Sequence, residues 1–167
     1  SNAAMKRTLP FRAVADFAWI STITTYPLAI AVAPQSPIRS FADLLARARA
    51  EPGKLSYSSV GVGSAPHLVG EWLAAEAGIQ LTHIPFRGGT SAFSEVLAGR
   101  VDCMIDTMTL IASLLKEQRV RALAVTAPTG ASNLPGVPAV ADVLPSVVFE
   151  SWLGLAAPAG TPQAALD

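Results

Sequence analysis

The chain has a single cysteine, Cys103, so no disulfide can form within it. An excess of one charge is also missing, because twelve basic and twelve acidic residues cancel. There is therefore no net field to attract nucleic acid or an anionic membrane. The most apolar runs, such as residues 27–34, are too short to span a bilayer. Half of the 167 residues are nevertheless apolar, which is enough for a globular domain with a real core.

Several motifs of catalysis and cofactor binding are missing as well. After Gly61 and Gly63, a dinucleotide fingerprint needs a third glycine at position 66, where Pro66 stands. The sequence contains no P-loop and no nucleophile elbow. Two histidines without a neighbouring carboxylate or thiolate cluster do not predict a metal site. Because paired carboxylates for acid–base work are also missing, we predict a binding protein without cofactor, metal or enzymatic activity.

What the sequence does contain is a regular alternation of helix and strand patterns. Helices with one apolar face are predicted to begin at Ser40 and Ser64, and two more surround Phe93 and Leu110. Strands are predicted at residues 17–25, 28–32, 55–59, 81–85, 101–106, 122–127 and 148–157. This rhythm is typical of parallel βαβ units with right-handed crossovers. We therefore predict an α/β fold, a three-layer sandwich of helices around a mostly parallel sheet.

Two glycine-bearing turns each follow one of these strands. The first, GVGS at residues 61–64, ends in Ser64, which is suited to cap a helix. The second, GGT at residues 88–90, ends in Thr90, which we expect to cap the next helix. Unpaired N–H groups and partial positive charge at a helix start attract carboxylates and phosphates. If the two strands are parallel neighbours, both turns lie at one edge of the sheet and face one crevice.

Three charged or titratable side chains lie near these turns. Asp106 ends a predicted strand at the same edge, where it could accept hydrogen bonds from a ligand or cap the following helix. Arg87 could neutralise a carboxylate or lie in solvent. His67 follows Ser64 by three residues, and with Ser64 serving as a cap we interpret His67 as structural or as lining a pocket.

Five motifs in a fixed order carry a family resemblance that covers nearly the whole chain after about Leu28. They are YSSVGVGSAPHLVGEWLAAEAGIQLTHIPFRGG, VLAGRVDCMIDTM, VRALAVTAP, LPGVPAVADVLP and SWLGLAAPAGTP. In these motifs the chain resembles the substrate-binding proteins of tripartite tricarboxylate transporters, the TctC or Bug receptors. The resemblance implies one lobe of a type II periplasmic-binding, Venus-flytrap fold. It also implies a periplasmic protein, not inserted in the membrane, that passes a small carboxylated or amide-bearing solute to a membrane permease.

The resemblance further implies that residues 58–67 and 86–90 line the cleft, largely through backbone N–H groups. Phe86 stands where the family commonly has tyrosine, so a hydroxyl is missing from this pocket. Ala139 and Asp142 replace the usual threonine and glutamate, a milder departure. Together with Asp106, the candidate ligand-binding residues are Ser58, Ser59, Gly61, Val62, Gly63, Ser64, His67, Phe86, Arg87, Gly88, Gly89 and Thr90.

The predicted domain organisation follows from the same resemblance. We expect residues 1–35 to hold a tag remnant, Ser1-Asn2-Ala3, followed by connector strands to a first lobe. Residues 36–150 form the second lobe, and residues 151–167 form a return hinge strand and the start of a further first-lobe segment. Two alternatives stay open at this point. One is a ligand-sensing domain of a transcription regulator, and the other is an enzyme on an anionic small molecule with Asp106 or His67 as base.

Overall fold

A computed structural model describes residues 9–130 and 134–166, so the tag remnant predicted at residues 1–3 lies outside the described residues. The elements and their bounds follow the predicted alternation of strand and helix. They are β1 (Phe17–Val32), α1 (Phe41–Ala50), β2 (Ser56–Ser59), α2 (Ala65–Ala77), β3 (Thr82–Pro85), α3 (Gly89–Leu97), β4 (Cys103–Thr107), α4 (Met108–Lys116), β5 (Arg121–Val125) and β6 (Glu150–Pro158). Short 3-10 turns occupy Val140–Asp142 and Gln163–Ala165.

The main sheet has the strand order β3-β2-β4-β1-β5. β2 pairs in parallel with both β3 and β4, as the sequence predicts for strands joined by helices. β1 pairs antiparallel with β4 and β5, so four strands share one direction and β1 alone is reversed among them. β1 comes before the first helix and reaches the middle of the sheet without a βαβ crossover, and the helix–strand rhythm therefore does not reveal its direction.

Helices cover both faces of this sheet and produce two separate cores. Leu44 of α1 and Leu73 of α2 pack with Ile30 and Tyr57 on one face. Val96 of α3 and Ile111 of α4 belong to the core on the other face, with Ala29, Ala31, Met104 and Val125. Successive strand residues point to opposite faces, which is why neighbours in β1 belong to different cores. The predicted three-layer α/β sandwich is thereby confirmed.

A two-stranded ribbon extends from the sheet. The strands predicted at residues 17–25 and 28–32 are one continuous strand, and its first part pairs antiparallel with β6 from Phe17–Pro158 to Pro27–Glu150. Proline cannot donate to a strand ladder, and Pro27 lies where β1 leaves β6 and joins β4 and β5. Large apolar side chains on the ribbon are exposed, among them Trp19, Ile23, Trp152 and Leu155.

The starts of two helices match the sequence prediction. The hydroxyl of Ser40 accepts from the N–H of Asp43 at 3.1 Å, and that of Ser64 accepts from the N–H of His67 at 3.5 Å. Serine at this position satisfies one of the unpaired donors of a helix start. None of the helices in the described ranges is long and apolar enough to cross a membrane.

Candidate functional site

Three parallel strands end at one edge of the sheet, and each leads into a helix there. We call residues 59–64, which connect β2 to α2, the first glycine turn. Residues 86–89, which connect β3 to α3, are the second glycine turn. The two turns are in contact: the N–H of Phe86 donates to the carbonyl of Ser59 at 2.9 Å. A Cβ placed on Gly61 would lie 3.8 Å from the carbonyl oxygen of Phe86. The predicted convergence of both turns on one edge is thus a feature of the structure.

The first glycine turn uses most of its backbone donors internally. The N–H of Gly61 donates to the hydroxyl of Ser59 at 3.1 Å, and the N–H of Gly63 donates to Nδ1 of His67 at 3.2 Å. The N–H of Ser64 donates to the carbonyl of Gly61 at 3.2 Å. A donor that is already paired gains little from a ligand, because binding would only exchange one partner for another. This turn therefore keeps three of its donors within itself, while the N–H groups of Val60 and Val62 have no partner among the described residues.

Two histidine rings form hydrogen bonds with the first glycine turn. The rings of His67 and His83 have centroids 4.2 Å apart, and the ring centroid of Tyr57 lies 4.9 Å from that of His83. Nε2 of His83 is 2.7 Å from the hydroxyl of Ser59. Burial, and next the charge of His67, lower the pKa of His83. The structural role expected of His67 fits this arrangement.

The contribution of His83 did not follow from the sequence. The signal that could have revealed it is register, because parallel pairing of β2 with β3 places His83 opposite Tyr57. Although Ser59 and His83 resemble a nucleophile and its base, Ser59 is only 1% exposed. Its hydroxyl is engaged with Gly61, so this pair lacks the access that nucleophilic catalysis needs.

Two other predicted site residues in this region differ sharply in exposure. Ser58 is fully buried, and its hydroxyl donates to the carbonyl of Cys103 at 3.5 Å. The side chain of Val62 is 77% exposed at the tip of the turn. Only the latter is therefore placed to meet a solute directly.

The second glycine turn has open donors. The N-cap of α3 is Gly88, whose φ of 148° is one that residues with side chains rarely adopt, and no side chain caps the helix. The expectation that Thr90 caps α3 is wrong, since the glycine conformation starts the helix earlier and leaves Thr90 inside its first turn. Within the described ranges, the N–H groups of Gly89, Thr90 and Ser91 have no hydrogen-bond partner.

The side chains beside the second turn divide between core and solvent. Phe86 is half-buried and packs against the core under α3 and α4. Arg87 is exposed and forms no ion pair with any described residue. Arg87 lies two residues before the start of α3, so its positive charge adds to the positive end of the helix dipole and favours an anion there.

Asp106 lies beneath this turn. The cap of α4 is Thr107, whose hydroxyl accepts from the N–H of Leu110 at 3.4 Å, so Asp106 does not take the capping role left open by the sequence. Oδ1 of Asp106 accepts from the N–H of Thr107 at 2.6 Å, and Oδ2 is buried with no hydrogen-bond partner among the residues that the structure describes. Burial raises the pKa of this carboxyl.

Cavities and metal-binding groups add little at the glycine turns. Among the described residues, no three of His, Cys, Asp or Glu are grouped so that they could hold a metal ion. A cavity of about 230 Å³ borders the first turn of α2, where Leu68, Phe149 and Trp152 line it. A groove of about 590 Å³ lies on the ribbon, beside Trp19 and Trp152.

Known proteins resemble this chain in both sequence and fold. The "UPF0065 protein in tcbD-tcbE intergenic region" of Pseudomonas sp. (strain P51) is 39% identical over 161 residues, covering 95% of this chain and 48% of that protein. The solved structure "R. palustris Rpa4515 with adipate" matches with a TM-score of 0.90 at 30% identity, over 96% of this chain and 54% of that one. MatC (Rpa3494) from Rhodopseudomonas palustris with bound malate matches with a TM-score of 0.87 at 25% identity, over 99% of this chain and 56% of that one.

These similarities show that the chain has the fold of part of a periplasmic-binding protein. A family model described as TctC, "Tripartite tricarboxylate transporter family receptor", matches residues 2–167, and the chain belongs to this family. The resemblance stated from the sequence is confirmed. The family and its solved neighbours are receptors rather than enzymes. The chain spans about half the length of the Pseudomonas relative.

Proposed function

We propose that this chain forms one lobe of a periplasmic receptor that binds a small carboxylate, or an amide-bearing solute, for a tripartite tricarboxylate-type transporter. The observation that carries the proposal is the uncapped start of α3, where three consecutive N–H groups have no partner in the described ranges. Receptor membership of the family supports it, as do the adipate and malate bound to the two solved neighbours.

The physical basis of binding is the same as at other helix starts that hold anions. The N–H groups of Gly89, Thr90 and Ser91 project from the positive end of α3, and Arg87 adds a full charge. A hydrogen bond to a charged group contributes roughly 1.5 to 3 kcal/mol net. Two or three such bonds orient a carboxylate, and closure by a second lobe would exclude the water that competes for it.

The predicted site residues take different parts in this proposal. The N–H groups of Gly89 and Thr90 and the charge of Arg87 hold the carboxylate, while Gly88 begins the helix and Phe86 packs against the core. The first glycine turn contributes Val62 as an exposed apolar contact, and the rest of it forms a wall of the cleft. The remaining candidates stabilise that wall or lie beneath the site: Ser58, Ser59, Gly61, Gly63, Ser64, His67 and Asp106.

We further assign the parts of the chain in the whole receptor. Residues 36–150 would be the second lobe, with connector strands in residues 1–35 and a return hinge strand in residues 151–167. The exposed apolar ribbon of β1 and β6 supports this division, because a surface with Trp19, Ile23, Trp152 and Leu155 is suited to pack against further protein. This chain by itself would then hold half of a site and bind adipate much more weakly than the full-length receptor.

The test removes one donor from α3. Thr90→Pro deletes the N–H at the second position of the helix, where proline is tolerated. We expect affinity for adipate to fall about tenfold or more in the full-length receptor, since one charge-assisted hydrogen bond is lost. Isothermal titration calorimetry with adipate and malate measures the change, and adipamide serves as an uncharged comparison.

The matched control is Ala42→Pro, the same change at the second position of α1. Because β1 is reversed, α1 begins at the opposite edge of the sheet. Ala42→Pro should leave adipate affinity unchanged. Equal affinity of Thr90→Pro and the wild type would contradict a carboxylate site on α3.

A further inference from the structure

Asp106 is a carboxyl group without a function in the contacts described so far. Its side chain is 5% exposed, and Oδ2 has no hydrogen-bond partner in the part of the chain that the structure describes. Leaving a buried carboxylate oxygen unpaired is costly, and the cost falls when the group carries a proton. Burial raises the pKa of Asp106, although the N–H of Thr107 acts in the opposite direction.

The unpaired oxygen lies directly under the start of α3. A Cβ on Gly89 would be 2.7 Å from Oδ2 of Asp106 and 2.7 Å from Cδ2 of Leu110. Only glycine lets the helix begin this close to the carboxyl group. Asp106 and a solute carboxylate on the N–H groups of Gly89–Ser91 would therefore flank the same helix start, one from inside the protein and one from the cleft.

No other charge meets this carboxyl group within the described residues. Ala29 of β1 is its strand partner, Leu110 lies on the side of α4, and Gly89 on the side of α3. Asp106 lies two residues after Met104 and so faces the core of α3 and α4. Other titratable groups on the packed elements lie in the second glycine turn, on the opposite face of the sheet, in the ribbon, or toward the far ends of β4, α3 and α4. They are Arg87 in the turn, Tyr57, His67, His83 and Cys103 on the opposite face, Tyr26 in the ribbon, and Asp102, Glu95 and Lys116 at the far ends.

We propose that Asp106 and the start of α3 form one proton-coupled anion site. When a solute carboxylate binds to the N–H groups of Gly89–Ser91, Asp106 takes up one proton from solvent, and it returns that proton when the solute leaves. The cause is that two carboxylates sharing a poorly solvated site cannot both keep their charge. This inference rests on the proposed function, and it adds that acid conditions favour retention of the solute and alkaline conditions its release.

The test follows both partners by NMR in the 167-residue chain, where weak binding suffices. Adipate is titrated at several pH values while the amide signals of Gly89–Ser91 report contact and the carboxyl ¹³C signal of Asp106 reports its proton. We expect adipate to move the amide signals and to shift the Asp106 carboxyl toward its protonated position. The adipate Kd should rise by up to tenfold per pH unit across the range in which Asp106 titrates.

Adipate itself also titrates, and this contribution is the same for every variant. Comparing variants therefore isolates the proton uptake by Asp106 that accompanies binding. Asp106→Asn cannot take up the proton, so its adipate Kd should lose the additional pH dependence of the wild type. Asp102→Asn is the matched control. Asp102 lies just before the start of β4, at the other end of the strand from Asp106, and it accepts hydrogen bonds from Ser56. It should keep the pH dependence of the wild type.

The outcomes distinguish the two proposals. Amide shifts without proton uptake at Asp106, or equal pH dependence in the wild type and Asp106→Asn, would overturn the coupling and leave carboxylate binding intact. If the amides of Gly89–Ser91 do not respond to adipate at any pH, both proposals are wrong. The ¹³C measurement on the wild type decides the question even if Asp106→Asn fails to fold.

Discussion

The two glycine turns have similar sequences and different chemistry. In the first, the N–H groups of Gly61, Gly63 and Ser64 bond to Ser59, His67 and the carbonyl of Gly61, and the hydroxyl of Ser64 caps α2. In the second, no side chain caps α3, and the N–H groups of Gly89, Thr90 and Ser91 have no partner among the described residues, above a buried carboxyl group. The side chains around a glycine turn thus decide whether it closes on itself or stays available to a ligand.

The same contrast extends to the response to acid. At the first glycine turn, burial and next the charge of His67 lower the pKa of His83, so a proton on the His83 ring is unfavourable in the folded state. In the second turn, a proton on Asp106 relieves an unpaired buried charge. Acid should therefore weaken one turn and strengthen the other.

The largest effect is expected for Gly89→Ala in the second turn. Its Cβ would meet Asp106 and Leu110 at 2.7 Å, and such overpacking costs about 1 to 3 kcal/mol of unfolding free energy. Denaturation with urea measures the loss. In a double-mutant cycle with Asp106→Ala, the cost of Gly89→Ala should be smaller, because one of the two colliding groups is gone. Strictly additive costs would show that the helix start does not rest on Asp106.

The next largest effect is the pH dependence of stability that His83 causes beside the first glycine turn. The pKa of His83 in the folded state is lowered below the ordinary value of 6.5, so the unfolded chain binds a proton at this residue more readily. The stability that neutral His83 contributes is complete above pH 6.5, and it is lost as the pH falls through the pKa of the folded state. One proton changes stability by at most about 1.4 kcal/mol per pH unit. Urea denaturation between about pH 7.5 and about pH 5.5 should show a shallower acid loss for His83→Gln than for the wild type.

Asp106 supplies a control, because its protonation should change the stability in the opposite direction. Its raised pKa means that its burial penalty is present above the folded value and is relieved as pH falls through it. Asp106→Asn should therefore be more stable than the wild type at neutral pH and should show a steeper acid loss. An identical pH slope in all three proteins would contradict the assignment of both groups.

The smallest effect compares the two helix starts directly. Ser64→Ala removes the cap of α2 and the bond from the Ser64 hydroxyl to the carbonyl of Gly61, 2.7 Å long, at a cost of about 1 kcal/mol. Thr90→Ala removes no cap and should stay within about 0.5 kcal/mol of the wild type. Thermal unfolding of the two variants side by side measures both, and equal losses would mean that Thr90 does cap α3.

Much of the fold could be predicted because it depends on local patterns. Apolar stripes in residues 41–50 and 108–116 and capping by Ser40 and Ser64 are short-range signals that the helices obey. Position along the chain was also enough to bring both glycine turns to one edge, since parallel strands joined by helices end on the same side. The reversed direction of β1 had no such local signal.

The sequence by itself determined the α/β class, the order of the elements and the place of the two turns, because periodicity and capping are properties of neighbouring residues. Only the tertiary structure decided which turn keeps its donors open. The hydroxyl of Ser59 meets a ring nitrogen of His83, which lies 24 residues further along the chain. Oδ2 of Asp106, a residue of β4, lies under Gly89 at the start of α3. Such pairings depend on register and packing between segments, and no window of the sequence contains both members.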